Sequence, residues 1–167
     1  PLDPRIALST DVPKGGQKDS GSLLHQGKGE DTAVILSSGG THGITKGILL
    51  SNLNFNALAL QTGTAGDCVQ PGLSCLAIMP IFPGFGLGVS INTMLYWGIG
   101  VILVPQFSVK SYCKMLEKYK PNCIAGVPTL YEALLRMEDA QKLDLSCIRG
   151  IFSGGDTLSV ELKNKVD

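Results

Sequence analysis

The chain has 167 residues, of which 44% are hydrophobic and 17% are charged. This length fits one domain or a large part of one, and so low a charge content excludes an intrinsically disordered chain. Fourteen basic and fourteen acidic residues give a formal net charge of zero. The balance excludes the broad basic surface that binding to nucleic acid or to an anionic membrane requires.

The cysteine and histidine content indicates a reduced protein without a histidine-cluster or thiolate metal site. Two histidines are too few for an imidazole metal cluster, and no two cysteines stand in a C-x-x-C pair. An odd number of widely spaced cysteines favours free thiols in a cytoplasmic protein over a disulfide framework. We therefore expect the cysteines to pack as small apolar side chains; they are Cys68, Cys75, Cys113, Cys123 and Cys147.

The two ends and one long uncharged stretch bear on targeting. The chain starts at Pro1, shows no basic segment followed by an apolar run, and stops at Asp167 inside a helical pattern. This predicts no signal peptide and a piece of a longer protein. Residues 68–109 carry no charge, which leaves a membrane segment as an alternative. Prolines and glycines interrupt the stretch, so buried strands and a buried helix are favoured over a transmembrane segment.

The first third of the chain predicts a polar lead-in, a hairpin and a helix. Residues 1–30 are polar and rich in glycine, and we place the folded domain at residues 31–167. Residues 32–37 read as a buried strand that enters a Ser/Gly/Thr cluster, and residues 47–50 read as the strand that returns from it. Ser51 is expected to cap a helix over residues 52–62. Its apolar face is predicted to comprise Leu53, Asn56, Ala57 and Leu60.

The rest of the chain alternates strands with helices. Strands are predicted at residues 73–79, 100–104, 122–125 and 148–152, because each is a short apolar run bounded by turn residues. Helices are predicted at residues 85–97, after Ser108, from a capping box at residues 129–132, and after Ser159. The alternation indicates an α/β fold, with a mainly parallel sheet and helices on both faces.

Residues 37–47 hold the densest chemistry in the sequence. They read Ser-Ser-Gly-Gly-Thr-His-Gly-Ile-Thr-Lys-Gly. Glycines allow backbone N–H groups to turn inward, hydroxyls add donors and Lys46 adds a positive charge, which together suit a phosphate. A Walker A loop would place its lysine at the start of a helix, whereas Lys46 precedes a predicted strand. A simple turn between two strands remains the alternative on composition alone.

The order of four segments resembles the adenylate-forming superfamily of acyl-CoA synthetases, adenylation domains and luciferases. The loop at residues 38–47 is similar to its phosphate-binding signature, and residues 80–88 (Pro-Ile-Phe-Pro-Gly-Phe-Gly-Leu-Gly) are similar to the segment that borders its acyl pocket. Residues 126–129 (Gly-Val-Pro-Thr) and 153–159 (Ser-Gly-Gly-Asp-Thr-Leu-Ser) resemble its pocket turn and its adenine turn. The resemblance covers residues 31–167 and fits the fatty-acyl-CoA synthetase branch best.

The resemblance implies a site for each substrate. Nucleotide-binding residues would be Ser38, Gly39, Gly40, Thr41, His42, Gly43, Thr45, Lys46, Gly154, Gly155 and Asp156. Residues that bind the acid would be Phe82, Pro83, Phe85, Gly86, Gly126, Val127, Pro128 and Thr129. Two positions depart from the family pattern: His42 replaces a threonine and Pro83 replaces a histidine.

The resemblance also implies the reaction and what completes it. Residues 31–167 would form a subdomain of the N-terminal domain of such an enzyme. The full-length enzyme would use ATP, Mg²⁺ and CoA to convert a long-chain fatty acid into its acyl-CoA through acyl-AMP. The adenine-stacking segment, the ribose-binding Asp and the small C-terminal domain with the adenylation lysine would follow Asp167, so residues 1–167 are expected to be inactive alone. The alternatives are transfer to a carrier-protein thiol, an amino-acid substrate, or a non-catalytic nucleotide-binding module.

Overall fold

A computed structural model describes residues 27–37, 46–66, 68–81, 84–104 and 108–166. The strands within them are β1 (Thr32–Ser37), β2 (Gly47–Ser51), β3 (Ser74–Ala77), β4 (Gly100–Leu103), β5 (Cys123–Gly126) and β6 (Gly150–Ser153). The α-helices are α1 (Asn52–Thr64), α2 (Met94–Tyr96), α3 (Val109–Tyr119), α4 (Pro128–Leu135), α5 (Glu138–Gln141) and α6 (Val160–Val166). A π-helix at Gly86–Thr93 runs directly into α2. Most of the polar lead-in at residues 1–30 lies outside the described residues, so the domain boundary stays a prediction.

The strands form two separate sheets. Strands β3 to β6 make a four-stranded sheet in the order β4-β3-β5-β6, and every pairing in it is parallel. Strands β1 and β2 form an antiparallel hairpin in which Ser37 is the partner of Gly47. The predicted parallel α/β fold and the predicted hairpin around the glycine-rich loop are thus both confirmed.

Alternation along β3 gives the parallel sheet two different apolar faces. Leu76 and Ile78 belong to a cluster formed with α3, α4 and α6, which includes Tyr112, Leu130 and Leu162. Cys75 points to the other face, where it packs in a cluster with Cys68, Cys123, Met94 and Ile99. Successive side chains of a strand point to opposite sides, so helices cover both faces as expected.

The helix predicted at residues 85–97 has an unusual hydrogen-bond pattern. Most of it is the π-helix, and the hydroxyl of Thr93 donates to the carbonyl of Gly88 at 2.9 Å. Two side chains then tie this segment to α1: Asn92 Nδ2 donates to Phe55 O at 3.0 Å and Trp97 Nε1 to Ala59 O at 2.9 Å. π-Helical turns are rare and occur often at functional sites.

Two expectations about helices are wrong in detail. Leu53 and Leu60 are 53% and 48% exposed, and α1 buries Phe55, Ala59 and Gly63 instead. Apolar residues occur on every side of α1, so their spacing in the sequence does not indicate which side is buried. The small residues Ala59 and Gly63 let Trp97 approach the helix closely. The capping box at residues 129–132 does not form, because α4 starts earlier.

Proline explains the earlier start of α4. Pro128 occupies the first turn and Val127 is the N-cap residue, without a side-chain hydrogen bond. Proline lacks an N–H and has a φ that suits the first helical position. The other predicted caps are confirmed: Ser51 and Ser108 accept from Asn54 N and Ser111 N, and Ser159 accepts from Leu162 N.

The described parts of the uncharged stretch at residues 68–109 contain β3, the π-helix with α2, β4 and the first residue of α3. Among the described residues, no helix combines the length and the apolar character needed to cross a bilayer.

The cysteines are free thiols, as predicted. Four of them are buried and Cys147 is half-buried. Cys75 and Cys123 are register partners on β3 and β5, and neither is exposed. The hydrogen bond with Cys123, together with burial, raises the pKa of the Cys75 thiol well above its usual range. Only the thiolate reacts readily, so buried thiols with raised pKa are inert.

We expect a thiol reagent such as dithionitrobenzoate to label the native protein slowly. Cys147 should react first, and the four buried thiols should react only after urea is added. The measurement is the time course of absorbance with and without denaturant. Rapid labelling of most thiols in the native protein, or stoichiometric zinc in it, would contradict the reduced, packed state.

Candidate nucleotide and acid site

The carboxyl end of the parallel sheet brings together segments that lie far apart in sequence. Strand β5 ends at Gly126 and β6 ends at Ser153, and these two residues are register partners. The residues that follow each strand are therefore neighbours at one edge. Open α/β sheets bind ligands at the carboxyl ends of their strands, so this edge is the candidate site.

The predicted adenine turn is held by its neighbour strand. Gly154 N donates to Gly126 O at 3.2 Å, and Gly155 has a φ of 81°. This left-handed conformation favours glycine, because a Cβ would be strained there. Val127 lies beside it, since an ideal Cβ on Gly155 would be 3.4 Å from Val127 Cγ1. The two predicted turns, Gly126-Val127 and Gly154-Gly155, thus form one surface.

The residues after each turn have different surroundings. Pro128 is buried at the start of α4, whereas Thr129 is exposed. Asp156 is also exposed, and its Oδ1 accepts the N–H of Thr157 at 2.7 Å. Tyr131 fastens α4 to the site, because its hydroxyl donates to Phe152 O at 2.7 Å. Burial raises the pKa of Tyr131 well above its usual value, so this phenol stays a donor.

The predicted acyl-pocket segment reaches the adenine turn directly. An ideal Cβ on Gly154 would lie 2.5 Å from Cε2 and 2.8 Å from Cδ2 of Phe85, so the Phe85 ring rests on Gly154. Gly86 is buried against the carbonyl of Pro80. Phe82 and Pro83, the other residues predicted here, lie outside the described residues.

The hairpin fixes the two ends of the predicted phosphate loop. Ser37 and Gly47 face each other in the register of β1 and β2, and Lys46 is exposed immediately before β2. Leu36 of β1 packs near Gly84, since an ideal Cβ there would be 3.2 Å from Leu36 Cδ1. The base of the loop therefore lies against the acyl segment. The remaining loop residues lie outside the described residues: Ser38, Gly39, Gly40, Thr41, His42, Gly43 and Thr45.

Sequence reasoning missed two features of this edge. One is the contact between Phe85 and Gly154, for which the sequence carries no signal. The other is Ser153, whose hydroxyl is buried and has no hydrogen-bond partner within the described parts of the chain. A buried hydroxyl without a partner costs free energy, so a donor at the carboxyl end of β6 suits a ligand or a bound water. The position of Ser153 directly before Gly154-Gly155 was the sequence signal that could have indicated it.

A large open groove lies elsewhere. A space of about 590 Å³ lies among α4, α5, α6 and β6, with Leu134, Leu143, Ile148 and Ile151 in its wall. None of the predicted site residues that the structure describes lines it. Within the described ranges, no three or more His, Cys, Asp or Glu side chains form a group that could hold a metal ion.

Comparison with known proteins identifies the family. The sequence pattern of the family described as AMP-binding enzyme matches residues 5–167. The chain belongs to the AMP-binding enzyme family. Its relatives include a long-chain-fatty-acid–CoA ligase of Bacillus subtilis (strain 168), 34% identical over 138 residues, which are 82% of this chain and 25% of that protein. A luciferin 4-monooxygenase of Nipponoluciola cruciata is 30% identical over 161 residues, 95% of this chain and 29% of that protein.

Solved structures of AMP-binding enzymes agree in fold. ATP-bound MatB from Rhodopseudomonas palustris superposes with a TM-score of 0.74 and 27% identity, over 83% of this chain and 27% of MatB. An anthranilate CoA ligase, AuaEII, in complex with anthranoyl-AMP gives 0.77 and 25%, over 84% of this chain and 28% of that chain. This chain of the AMP-binding family spans about a quarter of the length of the curated relatives it matches. The family and the N-terminal-domain fold predicted from the four motifs are confirmed.

Proposed function

We propose that the protein containing this chain is an AMP-forming acid–CoA ligase that activates a fatty acid. The observation that carries the proposal is the meeting of the acyl segment and the adenine turn, where Phe85 rests on Gly154. The likeness to the Bacillus subtilis ligase supports the same chemistry. The thiols' free state also supports our assignment to the cytoplasm.

The first step joins the acid to the nucleotide. A carboxylate oxygen of the acid attacks the α-phosphorus of ATP, a new P–O bond forms, and the bond to the β-phosphate breaks to release pyrophosphate. Lys46 and the hydroxyls of Ser38 and Thr41 hold the β- and γ-phosphates that leave, while Gly154, Gly155 and Asp156 border the adenine. Such a step depends on positioning and charge neutralisation more than on proton transfer.

The second step transfers the acyl group to a thiol. The thiolate of CoA attacks the acyl carbonyl of acyl-AMP, a C–S bond forms and AMP leaves. Mg²⁺ supplies charge neutralisation at the phosphates when bound.

An alkyl tail suits the walls of the predicted acid pocket. Phe85 and Val127 are apolar, and residues 68–109 carry no charge that would favour a polar acid. Relatives named probable 4-coumarate–CoA ligases in Dictyostelium discoideum are 30% identical, so an aromatic acid is the second candidate. Rates of adenylation with each acid separate the two.

An amino-acid substrate is less well supported. Its ammonium group needs an acidic partner, and the pocket-like segments offer Asp156 and Glu132. Asp156 accepts a backbone N–H, and Glu132 lies 3.7 Å from Arg136 on the exposed side of α4. Neither carboxylate is placed in an apolar pocket, which favours acids without an ammonium group.

The experiment is ATP–pyrophosphate exchange by the full-length protein. We expect exchange with hexadecanoate, less with 4-coumarate and none with phenylalanine, followed by thioester formation when CoA is added. If none of the acids supports exchange, adenylation would be overturned and a nucleotide-binding module would remain. Exchange without transfer to CoA would favour a carrier-protein thiol as acceptor.

Lys46→Ala tests the phosphate loop in the same assay. A charged hydrogen bond to phosphate contributes about 1.5–3 kcal/mol, so kcat/KM for ATP should fall about ten- to a hundredfold. Lys110→Ala, which removes an exposed lysine from α3, is the matched control and should change little. Equal kinetics for the two variants would mean that the loop is only a turn.

A further inference from the structure

Phe85 and Gly154 belong to segments that are not adjacent in the sheet. Phe85 follows β3 and Gly154 follows β6, with β5 between these two strands. The Phe85 ring must therefore cross the carboxyl end of β5 to reach Gly154. It does reach it, because three of its ring carbons lie within 3.1 Å of an ideal Gly154 Cβ.

Gly154 is held on two sides as a result. Its N–H donates to Gly126 O at 3.2 Å, and the Phe85 ring covers the position of its absent side chain. Gly155, at a φ of 81°, follows immediately and packs beside Val127. Any movement of the Phe85 ring therefore changes its contact with Gly154.

Phe85 is itself held firmly from behind. The next residue, Gly86, packs against the backbone of Pro80, and the π-helix that begins there is tied to α1 by Asn92. Phe85 is half-buried, so part of the residue is accessible. The backbone behind Phe85 is thus packed on Pro80 and tied to α1, while its ring contacts Gly154 in front.

We propose that Phe85 is the positioning residue that couples the acid pocket to the adenine turn, through its contact with Gly154. This rests on the proposed function for the identity of the two ligands. An acid that packs on the ring fixes it against Gly154, and the turn is then ordered for the nucleotide. Coupling between two sites is reciprocal, so each ligand should tighten binding of the other by the same factor.

The test measures binding of α,β-methylene-ATP to the full-length protein, with and without hexadecanoate. We expect hexadecanoate to tighten analogue binding about fivefold in the native sequence. Phe85→Leu should fold normally and bring this factor close to one. Phe55→Leu, which changes the same side chain in the core of α1, is the control and should keep the fivefold factor.

Gly154→Ala provides a second, size-based arm. Its methyl group collides with the Phe85 ring, so analogue binding should weaken about tenfold, and the smaller leucine in Phe85→Leu/Gly154→Ala should recover most of that loss. If the effects of Phe85→Leu and Gly154→Ala on the Kd of the analogue simply multiply in the double variant, the coupling would be overturned. Independent sites show additive free energies. Persistence of the fivefold factor in Phe85→Leu would overturn it as well.

The thermal stability of the native protein, Phe85→Leu, Gly154→Ala and the double variant keeps this test separate from the proposed function. If the contact exists, Gly154→Ala should lower Tm and Phe85→Leu should suppress that drop, whichever acid the enzyme uses. Absence of exchange with every acid, together with a suppressed drop in Tm, would reject the proposed function and keep the contact. An additive Tm pattern would reject the contact itself.

Discussion

Gly86→Ala should destabilise the fold by about 3 kcal/mol, more than alanine at Gly88 or Gly100. An ideal Cβ at this position would overlap the carbonyl oxygen of Pro80 and lie 3.3 Å from Cβ of Met79. Neither atom sits at the end of a flexible side chain, so the backbone after β3 or the start of the π-helix has to move. Urea denaturation followed by circular dichroism measures the change in free energy of unfolding.

The other two glycines act as graded controls. At Gly88 the ideal Cβ would meet Leu58 Cδ2 at 2.6 Å, and this methyl can turn aside, so Gly88→Ala should cost about 1 kcal/mol. At Gly100 the closest atom is Leu73 O at 3.7 Å, an ordinary contact. Gly100→Ala should therefore be neutral or slightly stabilising. A Gly86→Ala variant as stable as Gly100→Ala would contradict the close approach of the π-helix to Pro80.

Strand positions were predictable because two sequence signals coincide at each strand. Each parallel strand is a short apolar run, and each is bounded by glycine, proline or a capping serine. Residues 74–77 and 123–126 carry no charge on either face, as expected for strands covered by helices on both sides. The strand order β4-β3-β5-β6 could not be read from the runs, since nothing in a single apolar run records its neighbour.

Helix faces and site contacts were less accessible to sequence reasoning. Apolar residues surround α1, so Leu53 and Leu60 matched a helical spacing and yet stayed exposed, while Phe55 and Ala59 were buried. The contact of Phe85 with Gly154 joins segments that are distant in sequence, and it depends on how β3, β5 and β6 are ordered. The motifs named the residues of the site; the packing that links them arises only from the assembled sheet.

A polypeptide of residues 1–167 alone should bind ATP weakly and form no acyl-AMP. These residues correspond to about a quarter of the length of the relatives, and the resemblance places the adenine-stacking segment, the ribose-binding Asp and the adenylation lysine in the part that follows. Groups that act as one unit lose far more rate together than any single loss suggests. Turnover should therefore be undetectable.

Binding should weaken for a related reason. Association itself costs translational, rotational and side-chain freedom, and residues 1–167 offer few contacts to offset that cost. We expect a Kd for ATP no tighter than about 1 mM, which corresponds to about 4 kcal/mol. Calorimetry at high ATP, with and without Mg²⁺, measures this affinity, and pyrophosphate release with hexadecanoate measures turnover. Micromolar binding or measurable release would mean that residues 1–167 already contain a complete site, and the Phe85–Gly154 edge would then be the first place to search for it.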